Sequence, residues 1–368
     1  MSMWSNLPFD VLANIFSLLS PDSLARARSA CKNWHTCSKT YPTTPSSSWF
    51  LAVPIRNQRP CCYAHNPTTD KWHILSLDFL HAHFRPIAPI GSLFLLRLTN
   101  STTLQKLALC NPFTREFRYL PRLNIPRTNP AVGVVILEQN HGGVNKVPSF
   151  RVYVVGGMSG ALAQGGSTST YESDVEMYDS HFDTWRVVGS MPVEFAVRLT
   201  VWTPNENVCI NETLYWVTSA RAYSVVGFDF GSNGWMELGV PMAERLEFAT
   251  LVRWNGALAL VGGTCGVGIC IWELCEGRVW GLVDKVPVEL GLRLGSSGKG
   301  NWENVKCVGN DNEDVICLYR DLGSGMVVCR RGIWGWVDGC AYIQGKQVLN
   351  CTIRGTLIHP TLAPSFVF

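Results

Sequence analysis

Six times along this chain an aromatic residue closes a short, turn-rich stretch. They are Trp72 in NPTTDKW, Phe117 in NPFTREF, Trp185 in DSHFDTW, Trp235 in DFGSNGW, Trp280 in LCEGRVW and Trp336 in RRGIWGW. The intervals are 45, 68, 50, 45 and 56 residues, and self-similarity at such a period marks a repeat architecture in which each unit buries its apolar face on its neighbours. In four units an Asx residue, Asn66, Asn111, Asp179 or Asp229, stands six positions before the aromatic. Asn and Asp bond their own backbone two residues on, which starts a tight turn, and the aromatic then packs the next strand against the neighbouring sheet. Leu274 and Arg330 hold this place in the last two units, so the repeat is degenerate.

The best-preserved unit predicts four antiparallel strands, at 248–253, 257–261, 268–274 and 279–283. Asn255-Gly256 signals a type I′ hairpin between the first two, and Gly262-Gly263 is expected to close the second. Unit three matches, with strands at 131–137, 150–155, 175–179 and 185–188 and Gly156-Gly157 after its second. A double glycine closing one strand, then a strand ending near Tyr178-Asp179, then a Trp strand resembles the kelch motif. By that resemblance residues 49–368 are expected to form a kelch-type β-propeller, with six blades of about 53 residues each. The first unit offers only three strands, at 49–53, 61–66 and 72–75. The segment 347–353 is expected to supply its missing innermost strand, closing the ring and removing open edges.

Ahead of the repeats lies LPFDVLANIFSLLSPDSLARARSACKNWHTC, residues 7–37. Val11, Leu12, Ile15, Phe16, Leu18 and Leu19 recur at helical spacing, giving a first helix over about 8–19. Ser20-Pro21-Asp22 reads as a cap, a first-turn proline and a dipole-favoured acid opening a second helix, and a third is expected near 30–38. Three short helices in so few residues cannot enclose a self-sufficient core, so a partner is expected to cover the apolar remainder. The order Leu7, Pro8, Val11, Leu12, Ile15, Phe16, Leu19, Leu24, Arg28, Cys31 and Trp34 resembles an F-box. That resemblance implies that these residues dock a Skp-type adaptor. Tyr41 to Ser48, YPTTPSSS, reads as a linker, so the expected organisation is an F-box at 1–40, a linker at 41–48 and the propeller at 49–368.

Composition removes other function classes. A net charge of +3 over 368 residues argues for neither a nucleic-acid nor a membrane partner. The first apolar stretch lacks a secretory n-region, and no run is long enough to span a bilayer. The 14 cysteines are scattered, mostly in apolar strands, and no C-x-x-C pair begins a zinc site, so reduced thiols of an intracellular protein, in nucleus or cytoplasm, are expected. No P-loop, G-x-S-x-G or H-E-x-x-H occurs; His81 and His83 read as solvated loop residues. No cofactor or metal is expected.

The loops that join strand four to the next strand one should share a propeller face with those joining strands two and three. Arg85, Arg122, Arg127, Arg198, Arg245 and Arg293 fall there. They could form a mouth that reads acidic or phosphorylated clients, since guanidinium forks pair carboxylate and phosphate, or be solvated arginines balanced by Glu194, Glu244, Glu247 and Glu289. The insertions 138–149 and 158–173 read as long loops, suited to recognition or simply tolerated. The whole pattern resembles the plant F-box/kelch-repeat family. The resemblance implies a non-catalytic substrate receptor of a Skp–cullin–F-box ubiquitin ligase. A ligase-independent interaction module is the alternative; an enzyme on the propeller face would need clustered acids, bases or metal ligands that the sequence does not offer.

Overall fold

The computed structural model describes residues 7–19, 21–40, 47–55, 60–98, 103–137, 148–163, 166–202, 207–219, 222–295, 302, 304–310, 314–340, 342–343, 346–347 and 351–361. Three helices open the chain: α1 (Phe9–Ser17), α2 (Pro21–Ala30) and α3 (Lys32–Thr40). Pro8 caps α1, its carbonyl accepting the Leu12 N–H at 3.0 Å, and Asp10 in the first turn suits the helix dipole. Cys31 lies between α2 and α3, where its Sγ accepts the Trp34 N–H at 3.5 Å and so satisfies an orphan donor of α3. Leu12, Phe16, Leu24, Ala27 and Cys37 bury one another, and Phe16 meets Trp34 edge-on at 5.7 Å.

The rest of the chain is mainly antiparallel sheet. Among the described residues, five sheets take four strands in chain order. The strands are Phe84–Ile90, Leu93–Leu98, Leu107–Asn111 and Glu116–Tyr119; Ala131–Ile136, Phe150–Val155, Asp174–Asp179 and Thr184–Ser190; Val208–Ile210, Thr213–Ser219, Tyr223–Asp229 and Gly234–Gly239; Phe248–Trp254, Ala257–Thr264, Gly268–Cys275 and Val279–Lys285; and Lys306–Asn310, Val315–Tyr319, Met326–Arg330 and Ile333–Val337. An earlier sheet holds Trp49–Pro54, Cys61–Asn66 and Lys71–Ser76, and Ile353–Ile358 pairs beside Trp49–Pro54 from Trp49↔Ile358 to Pro54↔Ile353. The C-terminal segment does complete the first sheet, but with 353–358 rather than the expected 347–353. Lys346–Gln347 pairs instead with Tyr342–Ile343. Every residue of Ile353–Ile358 is buried, Arg354 and Thr356 included, so the strand is covered on both faces. Gly355 hides it further: a Cβ there would lie 2.6 Å from the Phe50 and Tyr319 rings.

The Asx positions act as their chemistry dictates. Asn66 Oδ1 accepts the Thr68 N–H, Asn111 Oδ1 that of Phe113, Asp179 Oδ1 that of His181 and Asp229 Oδ1 that of Gly231, each at 2.9 Å. Each turn then passes through a left-handed residue four positions after the Asx: Asp70, Arg115, Asp183 and Asn233. The sixth sheet needs no Asx because Arg331 and Gly332, both at positive φ, join Arg330 to Ile333 in a two-residue hairpin. Four of the closing tryptophans stitch sheet to sheet. Their indole N–H groups donate to backbone carbonyls at the end of the sheet before: Trp185 to Pro121, Trp235 to Ser190, Trp280 to Gly239 and, across the chain termini, Trp72 to Asp338. Apolar clusters fill the space between consecutive sheets, and one of them joins Val315, Cys317 and Tyr319 of the last sheet to Phe50, Ala52 and Leu357 of the first.

The two double glycines have different causes. Gly156 and Gly157 follow Phe150–Val155 at positive φ, a turn that favours glycine. Gly262 and Gly263 do not close a strand; they lie inside Ala257–Thr264, where neighbours crowd them. A Cβ on Gly263 would fall 2.6 Å from Phe248 Cε1 and 2.9 Å from Trp302 Cγ. Gly263→Ala is therefore expected to destabilise by about 1–3 kcal/mol through overpacking, read as a lower urea midpoint at unchanged slope.

Two helices and a small sheet stand where the repeat pattern places only loops. Helices α4 (Val193–Trp202) and α5 (Val288–Leu294) precede the fourth and sixth sheets, each opened by Pro-Val-Glu, at Pro192 and Pro287. The stretch read as a long loop at 158–173 is a hairpin, Met158–Ala163 with Gly166–Tyr171, which extends through Arg127–Thr128 to Thr103–Leu104 as an accessory four-stranded sheet. Most of the other insertion, 138–147, lies outside the described residues.

Candidate functional site

Helix α1 has two apolar faces, which a globular helix does not need. Leu12 and Phe16 are fully buried in the helical cluster, while Val11, Ile15 and Leu18 are 40%, 39% and 86% exposed. Positions 11, 15 and 18 are neighbours on one side of a helix, and exposed Pro8 continues the row. At about 25 cal/mol per Å², such a row left in water costs several kcal/mol that a partner surface would recover. The expected adaptor-binding residues thus divide. Leu12, Phe16 and Leu24 are inside the module; Leu7, Leu19, Arg28, Cys31 and Trp34 are half-buried, with burial pulling the Arg28 pKa down; Pro8, Val11 and Ile15 face outward. Leu18, 86% exposed and not one of the motif residues, belongs with the outward set.

The accessory sheet pairs segments that lie between second and third strands with one that leads into a first strand, which brings those connections to one edge of the second and third sheets. The arginines expected to share a face are not equivalent. Arg127 cannot take part: its side chain is fully buried, donating to Glu176 Oε2 at 2.8 Å, Asp174 O at 2.8 Å and Gly156 O at 3.3 Å. Glu176, equally buried, also accepts the N–H groups of Asn124 and Ile125, so the pair anchors the connection between second and third sheets. Arg198 on α4 pairs with Glu237, and Arg293 on α5 lies 3.7 Å from Asp338 and stacks over Trp336 at 4.1 Å. These partners are not the glutamates expected from the sequence. Arg85, Arg122 and Arg245 are exposed.

The chemistry of the remaining groups is quiet. Among the described residues no three His, Cys, Asp or Glu side chains are grouped to hold a metal ion, and no helix is long and apolar enough to cross a membrane. All the cysteines are free thiols, and burial pushes Cys110 and Cys317 up to about 12, which keeps both protonated and poorly nucleophilic. His81 and His83 are exposed.

A helical module with an uncovered apolar row, followed by four-stranded sheets stitched by indoles, defines a class of two-part binding proteins, and comparison with known proteins gives both parts their names. Residues 4–44 match the F-box domain, and residues 151–192 match the kelch motif, which covers the last three strands of the third sheet. Relatives align over nearly the whole chain. F-box only protein 6 of Arabidopsis thaliana is 23% identical over 98% of this chain and 74% of its own length. The Arabidopsis protein UNUSUAL FLORAL ORGANS is 21% identical over 92% and 80%, and an Arabidopsis F-box/kelch-repeat protein is 23% identical over 99% and 89%. The chain carries an N-terminal F-box domain and a kelch motif, with plant F-box/kelch-repeat homologues covering most of its length.

Proposed function

We propose that this chain is the substrate-recognition subunit of a Skp–cullin–F-box ubiquitin ligase. The observation that carries the reading is the exposed apolar row of α1, Val11, Ile15 and Leu18, inside a matched F-box domain. The row docks the Skp-type adaptor, with Pro8 at its margin, while Leu12, Phe16 and Leu24 hold the three helices in the shape that presents it. No chemistry is asked of the chain itself. Holding a client near a charged ubiquitin raises its effective concentration, which is catalysis by proximity.

The client-binding part is a six-bladed propeller closed by Ile353–Ile358. Three observations support this. The first strands of the sheets contact one another in a cycle that runs from Ile353–Ile358 through Phe84–Ile90, Ala131–Ile136, Val208–Ile210, Phe248–Trp254 and Lys306–Asn310 back to Ile353–Ile358. The inter-sheet clusters include one between the last and first sheets, and Trp72 donates across that same junction. The face carrying α4, α5 and the accessory sheet binds the client.

Co-expression with a Skp-type adaptor tests the docking half. The parent chain is expected to co-purify, and Val11→Asp/Ile15→Asp to lose the adaptor while keeping its circular dichroism and melting temperature. Leu12→Ala should behave differently, destabilising the helical module by about 2–5 kcal/mol as a core truncation. A double aspartate variant that retains the adaptor would exclude α1 as the docking surface.

A further inference from the structure

Helices α4 and α5 fill two of the connections from a fourth strand to the next first strand, and both leave apolar residues in solvent. In α4, Val193 and Val201 are 62% and 66% exposed with half-buried Val197 between them. The three form a row at i, i+4 and i+8 that runs about 12 Å along one side. In α5, Val288 and Leu292 repeat the spacing at 72% and 49% exposed. The fold itself is packed by other positions, Ala196 and Leu199 in α4 and Leu294 in α5. Valine is a mediocre helix former, so neither propensity nor the core accounts for the rows.

The segment between the two helices continues their surface. Residues 240–247 run from the fourth sheet to the fifth, and Ala243 O accepts the Tyr223 N–H at 3.2 Å. Tyr223 stands opposite Ser219 of Thr213–Ser219, the strand against which α4 packs. Further on, Glu247 Oε2 accepts the Trp302 N–H at 2.6 Å. The Trp302 indole lies against α5, its Cη2 3.3 Å from where a Cβ on Gly291 would be. Thus α4, residues 242–247 and α5 follow one another across the fourth, fifth and sixth sheets.

The charge of this surface is negative. Arg198 and Arg293 are already paired, with Glu237 and Asp338. Exposed Glu194, Glu244 and Glu289 have no ion pair among the described residues. Residues 191–202, 240–247 and 284–294, taken with Glu237 and Asp338, carry seven carboxylates and four cations, a net charge of −3. Pro-Val-Glu sets a carboxylate beside each apolar row, and Pro241-Met242-Ala243-Glu244 gives the intervening connection the same order of proline, apolar residue and acid. The first-turn place of Glu194 and Glu289 suits the helix dipole, a role that Glu244, outside any helix, does not have.

We propose that this surface takes a basic amphipathic segment of the client, whose apolar side chains cover the α4 and α5 rows while its Lys or Arg side chains pair with Glu194, Glu244 and Glu289. The inference rests on the reading of this face as client-binding, and it reverses the sign expected of an arginine-lined mouth. Apolar contact supplies the affinity, and the carboxylates reject an acidic partner by like charge.

The test uses the full chain co-expressed with its adaptor and three fluorescent peptides: a Leu/Lys amphipathic sequence, the same sequence with Glu for Lys, and a Gly/Lys sequence of equal charge. The Leu/Lys peptide is expected to bind saturably and the other two about tenfold or more weaker. Val193→Ser/Val201→Ser/Val288→Ser/Leu292→Ser is expected to weaken the Leu/Lys peptide by about tenfold or more at any salt. Glu194→Gln/Glu244→Gln/Glu289→Gln is expected to do so at low salt and to flatten the salt dependence. The glutamine variant removes no apolar contact and carries the test if the serine variant melts lower than the parent. The proposal is overturned if the Leu/Lys peptide fails to bind the parent, if either control peptide binds as tightly, or if the glutamine variant binds as the parent does. Adaptor co-purification is scored on the same preparations. Its persistence where the peptides fail would remove this surface and leave the receptor reading in place, and its loss where the Leu/Lys peptide still binds would do the reverse.

Discussion

A chain ending at residue 352 is expected to be unable to hold its sheet domain folded. The truncation removes all six partners of Trp49–Pro54 along one edge and the buried side chains of Ile353, Leu357 and Ile358. At about 1.5–3 kcal/mol for each buried aliphatic side chain, the lost burial alone is roughly 5–9 kcal/mol, against a typical total stability of about 5–15 kcal/mol. Phe50, Val315, Cys317 and Tyr319 lose their cover at the same time. An unpaired inner strand flanked by exposed apolar surface is also a template for aggregation. The truncated chain should appear in the insoluble fraction, or show no cooperative urea transition for the sheet signal. A soluble truncation with the parent's β-sheet circular dichroism and urea midpoint would mean that the first and last sheets do not depend on this strand.

Glu176→Gln has the largest expected effect of any single substitution. Arg127 and Glu176 are both completely buried, and each satisfies backbone groups as well as its partner. Burial lowers the Arg127 pKa, and the charge of Glu176 works against that. Removing one charge of such a pair leaves the other uncompensated, which costs about 3–5 kcal/mol. Arg127→Met alone should cost a similar amount. The double variant should cost less than the sum, because the uncompensated charge is gone while the unpaired carbonyls and N–H groups remain. Urea titration of the four proteins gives the coupling directly, and a single-variant loss below about 1 kcal/mol would contradict this account of the pair.

The repeat was legible because turn chemistry is local. An Asx side chain needs only its own next few residues, so Asn66, Asn111, Asp179 and Asp229 located the turns, and the aromatic six positions on located the outer strands. What the residues could not announce was anything set by distant partners. Gly262-Gly263 looks like Gly156-Gly157 in sequence, yet one pair exists for lack of space beside Phe248 and Trp302 and the other for its backbone angles. Ile353–Ile358 takes its place from an edge partner some 300 positions away, Trp49–Pro54, and from packing on Tyr319, neither of which its own residues announce, and the apolar residues before it drew the reading five or six places early. Arg127 shows the same limit for the site. Its place in a connecting segment suggested solvent, and only the carboxylate of Glu176, 49 positions on, explains why it is inside. The α1 helix was legible as apolar at every docking position, but which side each faces depended on α2 and α3 folding beneath it. The Pro-Val-Glu starts of α4 and α5 were a readable signal: a proline at the cap, an acid in the first turn and, in α4, buried Ala196 and Leu199 at helical spacing.

Calorimetric titration of a purified Skp-type adaptor into the full chain tests the central claim most directly. Saturable one-to-one binding with a negative heat-capacity change, the mark of apolar burial, is predicted for the parent and for Glu194→Gln/Glu244→Gln/Glu289→Gln, and its loss for Val11→Asp/Ile15→Asp. Absence of binding by the parent, or equal affinity in the double aspartate variant, would contradict it.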